Sequence, residues 1–354
     1  MTDTKPDFDP TKINVDFRQL TLKSIAERIE KSTIQLNTER YFQRKPNLWD
    51  NRKQSRLIES ILIRFPLPSF FFDASDDASW LMIDGLQRLS TIDEFRVKKT
   101  LKLQGLEFLS DLNGKGWNEI PEHFQRLFEE TKIVANLVLP GMPTNMRIDL
   151  FMRINTGGIS LNNQEIRHAL YQGKPTSFVK RLAEEPYFKK LLGKVHTARM
   201  ADRDYVTRFL AFHLLSIDEY KSDLEAFMNK GMALLYKLDD IELDGIYKKF
   251  SKAMQLAYVI FEHTAFKKNS KSRKNKALFD SVTTAFAYLS EEEAERLQSE
   301  PYKTKFKKDF IASIEEDSKF KSAISKSANT TSKVLYRHKK VKEIIEKQLQ
   351  WSSQ

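Results

Sequence analysis

The chain has 354 residues, 40% of them hydrophobic, with only 11 Gly and 11 Pro; this is too long for one ordinary domain and has the composition of a globular, helix-rich protein. It contains no cysteine, which excludes disulfides, thiolate-bound zinc and a cysteine nucleophile and fits a reducing, cytoplasmic setting. The formal net charge is +11, and residues 260–354 hold 20 Lys and Arg against 13 Asp and Glu, so +7 of the excess lies there and a polyanionic partner is expected of that part.

No run of 18 apolar residues exists, so no membrane-spanning helix is expected. The polar start Met1-Thr2-Asp3-Thr4-Lys5 does not read as a signal peptide. Residues 1–16 are polar and expected to be loose. Leu20, Ile25 and Ile29 predict a short helix. In the stretch from Tyr41 to Trp49, Pro46 forbids a regular helix, so a loop or extended segment there offers Gln43, Arg44 and an aromatic anchor. Leu57, Ile58, Ile61 and Leu62 form a helical stripe that Pro66 and Pro68 end. Ser69 to Phe72 reads as a strand, followed by a polar turn and a second strand, hence a hairpin.

Residues 80–97 organise the chain. Trp80, Leu81, Met82 and Ile83 lead into Asp84-Gly85, a short buried strand and its end. The period then changes: Leu86, Leu89, Ile92 and Phe95 fall on one helical face. A strand therefore runs through a glycine turn into a helix, whose N-terminus favours anions. Arg88 in its first turn would add to that field, and Asp84 could hold a metal or orient water. The bland alternative is an ordinary Asp-Gly turn.

Leu101 to Leu112 suggests a strand and a short loop, and Gly114 and Gly116 a turn. Phe124 to Glu130 predicts a helix, residues 133–139 a strand stopped by Pro140-Gly141, and Met146 to Ile154 another helix. That helix runs into Arg153-Ile154-Asn155-Thr156-Gly157-Gly158. Asn155 with Gly157 and Gly158 suits an anion-binding nest; a plain helix C-terminus with Gly past its end is the alternative. Asn162 with Glu165 makes a capping-box-like helix start, and Leu161 with Ile166 could form its hydrophobic staple. From Phe178 strand signals vanish. Amphipathic stretches cover residues 205–215, 224–238, 246–261 and 278–289, so the expected division is a loose segment 1–18, an α+β domain 19–178 and a helical domain 179–354. Residues 264–276 hold Lys267, Lys268, Lys271, Arg273, Lys274 and Lys276 and no acid, which suits either a DNA backbone or a solvated loop.

In order, Phe42-Gln43-Arg44, Trp49, Leu57 to Leu62, Phe65-Pro66-Leu67-Pro68, Asp84-Gly85-Leu86-Gln87-Arg88-Leu89 and Phe151 to Gly158 with Glu165-Ile166-Arg167 resemble the GmrS-like N-terminal domain of GmrSD-type restriction enzymes. The likeness covers roughly residues 20–175. It implies an α+β domain of the ParB/sulfiredoxin-like superfamily, followed here by an all-α domain. It also implies binding of a nucleoside triphosphate with Mg²⁺, and its hydrolysis in studied cases. Carried over, Asp84, Gln87 and Arg88 would be catalytic, with Asp84 on the metal. Arg44, Gly85, Arg153, Asn155, Gly157 and Gly158 would hold the nucleotide. Leu86 stands where the family usually has Gln, and an absent amide there would slow or abolish hydrolysis.

Full-length relatives of that type end in a His-Asn-His nuclease domain, whereas the six His here are scattered. The expected function is therefore a nucleotide-dependent switch or NTPase acting on DNA in restriction and antiviral defence. It is not expected to be a nuclease on its own; a partner chain would supply any nuclease. The alternative is a non-enzymatic ParB-like scaffold that binds DNA and recruits an effector through its helical domain.

Overall fold

The computed structural model describes residues 10–35, 49–76, 78–154, 162–193 and 199–351. The chain divides into two compact units, Met1–Leu170 and Tyr171–Gln354. The first is α+β and the second all-α, as the sequence predicts. The division falls at 170/171, whereas the sequence places it at 178/179, inside a helix of the second unit.

The first unit holds a five-stranded mixed sheet in the order β1-β5-β3-β4-β2. Its strands are β1 (Val15–Thr21), β2 (Ile34–Gln35), β3 (Phe70–Asp73), β4 (Trp80–Asp84) and β5 (Lys132–Val138). The expected hairpin is present: β3 pairs antiparallel with β4, Phe71 opposite Asp84, with a bulge between Phe71 and Phe72. β3 also pairs in parallel with β5, and β4 in parallel with β2. β1 corrects the expectation of a loose segment for residues 15–18 and straddles the expected 18/19 boundary; residues 1–9 lie outside the described residues. The strand pairs with β5 along its whole length, from Val15 opposite Val138 to Thr21 opposite Lys132. Thr21 then caps α1 (Leu22–Glu30) by accepting from the Ser24 N–H at 3.2 Å.

The α2 helix (Asn51–Leu62) starts at Asp50, whose carboxylate accepts from the Lys53 N–H. α3 (Leu86–Ile92) continues as a π-helix over Asp93–Val97. α4 (Glu122–Glu130), α5 (Thr144–Ile154) and α6 (Asn163–Leu170) complete the unit. The predicted capping box is formed at α6: the Asn162 N–H donates to Glu165 Oε2 at 2.7 Å, and the Glu165 N–H to Asn162 Oδ1 at 2.9 Å. The staple residue Leu161 lies outside the described residues.

Leu101 to Leu112 is not a strand. It is an irregular segment clasped by the buried Glu59 of α2, whose carboxylate accepts from the N–H groups of Glu107, Phe108 and Leu109 at 2.7–3.1 Å. A carboxylate that satisfies consecutive amides does the work of a sheet partner. Between sheet and helices Ile58, Ile61, Phe70, Phe72, Leu89, Ile92, Phe95 and Phe128 are fully buried. Phe95, Trp117 and Phe128 meet edge-on with centroids 5.3–5.8 Å apart, a favoured aromatic geometry.

The second unit comprises α7 (Lys174–Ala183), α8 (Pro186–Leu192), α9 (Ala201–Leu214), α10 (Leu224–Leu234), α11 (Asp240–Phe261), α12 (Lys276–Ala287), α13 (Glu291–Gln298), α14 (Tyr302–Glu316), α15 (Ser318–Ala323) and α16 (Thr331–Gln350). A Cβ built on Gly231 of α10 would lie 3.0 Å from the Ala211 Cα of α9, so these two helices touch backbone to side-chain stub. At the junction of α9, α12 and α16 the fully buried Asp280 takes a two-pronged pair from Arg337, with Nε at 2.9 Å and a terminal nitrogen at 2.8 Å. Arg208 approaches the same carboxylate at 3.3 Å. Burial raises the Asp280 pKa, but these cations and His338 outweigh it and hold the carboxyl at about 2.

Candidate functional site

The β4–α3 turn is built as its residues require. Trp80 and Met82 are buried and anchor β4 in the sheet, which carries Asp84 to the strand end. Gly85 then turns the chain at φ +105°, a conformation that side chains resist. Space excludes a side chain as well: a Cβ on Gly85 would sit 2.7 Å from Cδ1 of Phe70. Gly85 is the N-cap of α3 and brings no capping side chain, so the first-turn N–H groups are left to other acceptors. Leu89, Ile92 and Phe95 fix the helix on the core, while Leu86 packs against it partly buried.

Around this turn lie four of the predicted residues. The Arg88 guanidinium stacks over the Phe70 ring at 4.3 Å and donates to the carbonyl of Pro68, to that of Ser69 at 3.1 Å and to Asp84 Oδ2 at 3.3 Å. Three of its five donors are thus committed to the start of β3 and to Asp84. Its side chain is 11% exposed and that of Asp84 30%. Burial pushes the Arg88 pKa below its usual value, and Asp84 acts against that shift. Gln87 Oε1 accepts from the Trp49 N–H at 3.3 Å. Gln87 therefore ties α3 to the first described residue after the 36–48 segment.

Arg153 is exposed in the last turn of α5. Gln43, Arg44, Asn155, Gly157 and Gly158 lie outside the described residues. The turn thus gathers Asp84, Gly85, Gln87 and Arg88. Trp49 belongs partly buried, and Leu57, Ile58, Ile61 and Leu62 buried, to the core behind it. Among the described residues no group of three or more His, Asp or Glu could hold a metal. Sequence reasoning missed a second ion pair of this unit. The Arg147 terminal nitrogen donates to the buried Asp73 at 3.2 Å and to Ser75 Oγ at 3.0 Å, joining α5 to the end of β3.

Residues 25–172 match the model of the family described as GmrSD restriction endonuclease, N-terminal domain. Over this segment the chain is similar to that domain. No curated protein and no solved structure matches the chain. The GmrSD domain associates the chain with restriction of foreign DNA. The match begins within α1 and runs past the end of α6; it takes in β2 to β5, leaves out β1 and encloses the Asp84–Arg88 turn. Among the described residues no helix is long and apolar enough to cross a membrane.

In the second unit the six cations of the basic run fare differently. Lys267 and Lys274 pair as an isolated antiparallel bridge that closes the loop. Lys274 Nζ donates to the carbonyls of Ala265 at 2.8 Å and His263 at 3.2 Å; burial, with Lys267 nearby, lowers its pKa to about 8. Lys268 Nζ donates to Ser325 Oγ at 2.7 Å, and Lys276 Nζ lies 2.7 Å from Asp204 Oδ2. Lys271 and Arg273 stand exposed on the outside of the loop.

Proposed function

We propose that the GmrSD domain binds a nucleoside triphosphate at the β4–α3 turn and that this binding serves restriction of foreign DNA. The observation that carries this assignment is the strand–Asp84–Gly85–helix unit, in which a partly exposed carboxylate stands at the start of a helix whose N-cap, Gly85, has no side chain to cap it. Phosphate oxygens would accept from the amides of its first turn. Asp84 would be the residue of this turn to hold a Mg²⁺ ion, which would supply charge neutralisation of the phosphates. Such a site needs positioning and charge stabilisation more than covalent chemistry, so a few fixed groups suffice for phosphoryl transfer. Arg88 acts here chiefly by fixing Asp84 and β3. Arg44, Arg153, Asn155, Gly157 and Gly158 are the groups proposed to contact the triphosphate from the two flanking segments. Exposed Lys271 and Arg273, with Lys267, are proposed to meet DNA, and a partner protein to supply any nuclease.

One observation favours a non-enzymatic scaffold instead: the commitment of Arg88 to backbone carbonyls, combined with apolar Leu86 lying against the core. Binding of each of the four ribonucleoside triphosphates with Mg²⁺, followed by phosphate release, separates the two. Asp84→Asn should spare binding more than turnover. Equal affinity in wild type and in a folded Gly85→Ala protein would overturn the nucleotide assignment, and binding without release would leave the scaffold.

A further inference from the structure

The sheet of the first unit ends at β1. At the two ends of the β1–β5 ladder the Leu139 N–H donates to the Asn14 carbonyl and the Leu22 N–H to the Thr131 carbonyl, both at 2.9 Å. The register between them is unbroken. Bonded and non-bonded pairs alternate along an antiparallel ladder. Asn14, Asp16, Arg18, Leu20 and Leu22 therefore turn their backbone groups towards β5, and Val15, Phe17 and Gln19 turn theirs to the open side. Among the described residues no strand pairs with that side.

The edge is also apolar on one face and charged on the other. Phe17 is 73% exposed, and Val134, diagonal to it across the ladder on the same face, is 43% exposed. An open edge with exposed apolar side chains is a template for another strand. On the opposite face Asp16 and Arg18 are partly exposed, with Arg18 Nε 2.7 Å from Asp16 Oδ2. This order of charges fits a second copy of β1. Two copies related by a two-fold axis pair antiparallel, and the position of the axis sets which side chains meet. Centred on Asp16, the axis sets the two Asp16 side chains directly opposite each other; centred on Arg18, it does the same to the two Arg18 side chains. Like charges so placed are destabilising. Centred on Gln19, it sets Arg18 against Leu20, and centred on Val15 it runs off the strand. Centred on Phe17, it sets Asp16 of each copy against Arg18 of the other. In that register Phe17 forms a bonded pair with its own counterpart and Val15 with Gln19, the three residues whose backbone groups face outwards. Asp16 and Arg18 then form non-bonded pairs, in which facing side chains come closest. Backbone direction, charge and exposed apolar surface select the same register.

We propose that β1 joins two copies of this chain, with Phe17 on the two-fold axis and the two sheets continuous across it. β1 precedes residues 25–172, the segment matched to the GmrSD family. Sedimentation equilibrium of the full chain over the micromolar range tests the proposal, and the wild type should dimerise. Asp16→Lys sets a lysine against Arg18, and Arg18→Glu sets a glutamate against Asp16, each twice by symmetry. Either variant alone should raise the dimer Kd by about tenfold or more. An equimolar mixture of the two variants restores the match, because the lysine of one then faces the glutamate of the other while Arg18 faces Asp16. The mixture should dimerise as the wild type does, a rescue that a folding defect cannot produce. The proposal is overturned if the wild type stays monomeric, if either variant alone dimerises as the wild type does, or if the mixture remains monomeric. Neither substitution lies at the Asp84 turn, so any of those results would leave nucleotide binding there standing.

Discussion

Replacing Gly85 with alanine tests the geometry on which the turn depends. Two costs add. A non-glycine residue at φ +105° costs about 1–2 kcal/mol in backbone strain. The new methyl would also sit 2.7 Å from the Phe70 ring, which is held in the core beneath the stacked Arg88 and cannot retreat freely. Overpacking of that kind costs about 1–3 kcal/mol, so Gly85→Ala should destabilise the first unit by about 2–5 kcal/mol. Gly114→Ala is the control: φ is +82° there too, but nothing lies within 4 Å of the added carbon, so only the strain of about 1–2 kcal/mol applies. Urea unfolding followed by tryptophan fluorescence reads this unit, because Trp80 and Trp117 are buried in it. With a urea slope of roughly 1–3 kcal/mol per molar, Gly85→Ala should lower the midpoint by about 1 M or more. Adding Phe70→Leu should recover part of the loss as a favourable coupling in a double-mutant cycle. Equal shifts for Gly85→Ala and Gly114→Ala, or zero coupling to Phe70, would refute the steric half of the reasoning.

Asp280→Asn removes the carboxylate from the Arg337 pair and should destabilise the helical unit by about 3–5 kcal/mol in thermal unfolding followed by helical circular dichroism. Because the folded Asp280 pKa is depressed to about 2, its contribution is full above the ordinary value of 3.8 and disappears as pH falls towards 2; the Asn variant should lack that part of the acid slope. His213, stacked between Phe209 and Tyr288, has its pKa lowered to about 4 by burial and by nearby Lys249. The unfolded chain therefore binds the proton first, so stability should fall as pH drops from about 6.5 to about 4, and His213→Phe should flatten melting temperature over that window. DNA binding should weaken steeply with salt, and jointly replacing Lys267, Lys271 and Arg273 by Gln should flatten the slope in a filter-binding assay. An unchanged slope would make the run a solvated loop.

Patterns complete within one short stretch were legible in the sequence. The change from strand to helix period at Gly85 is written in residues 80–97, and the Asn162–Glu165 box in four consecutive positions. β1 was not legible, because what makes Val15–Thr21 a strand is β5, more than a hundred residues later, and Phe17 on it is exposed. Nor was the role of Arg88. A motif presents it as a free phosphate ligand, whereas its acceptors are carbonyls that only the β3–β4 pairing brings within reach. The Arg208–Asp280–Arg337 cluster draws on three separate helices, and no local spacing announces it.

The Glu59 clasp has a bearing on how the first unit breathes. Residues 101–112 have almost no repeating backbone pattern, and such segments ordinarily open on their own, far more often than the structure around them. Here the amides of 107, 108 and 109 hang on a side chain that α2 carries, and Leu101, Leu103 and Leu106 are sunk in the same core as Ile58 and Ile61. The segment cannot release those amides to solvent until the helix lets go. An irregular strap and a regular helix thus share one opening event, and deuterium should enter both at the same rate.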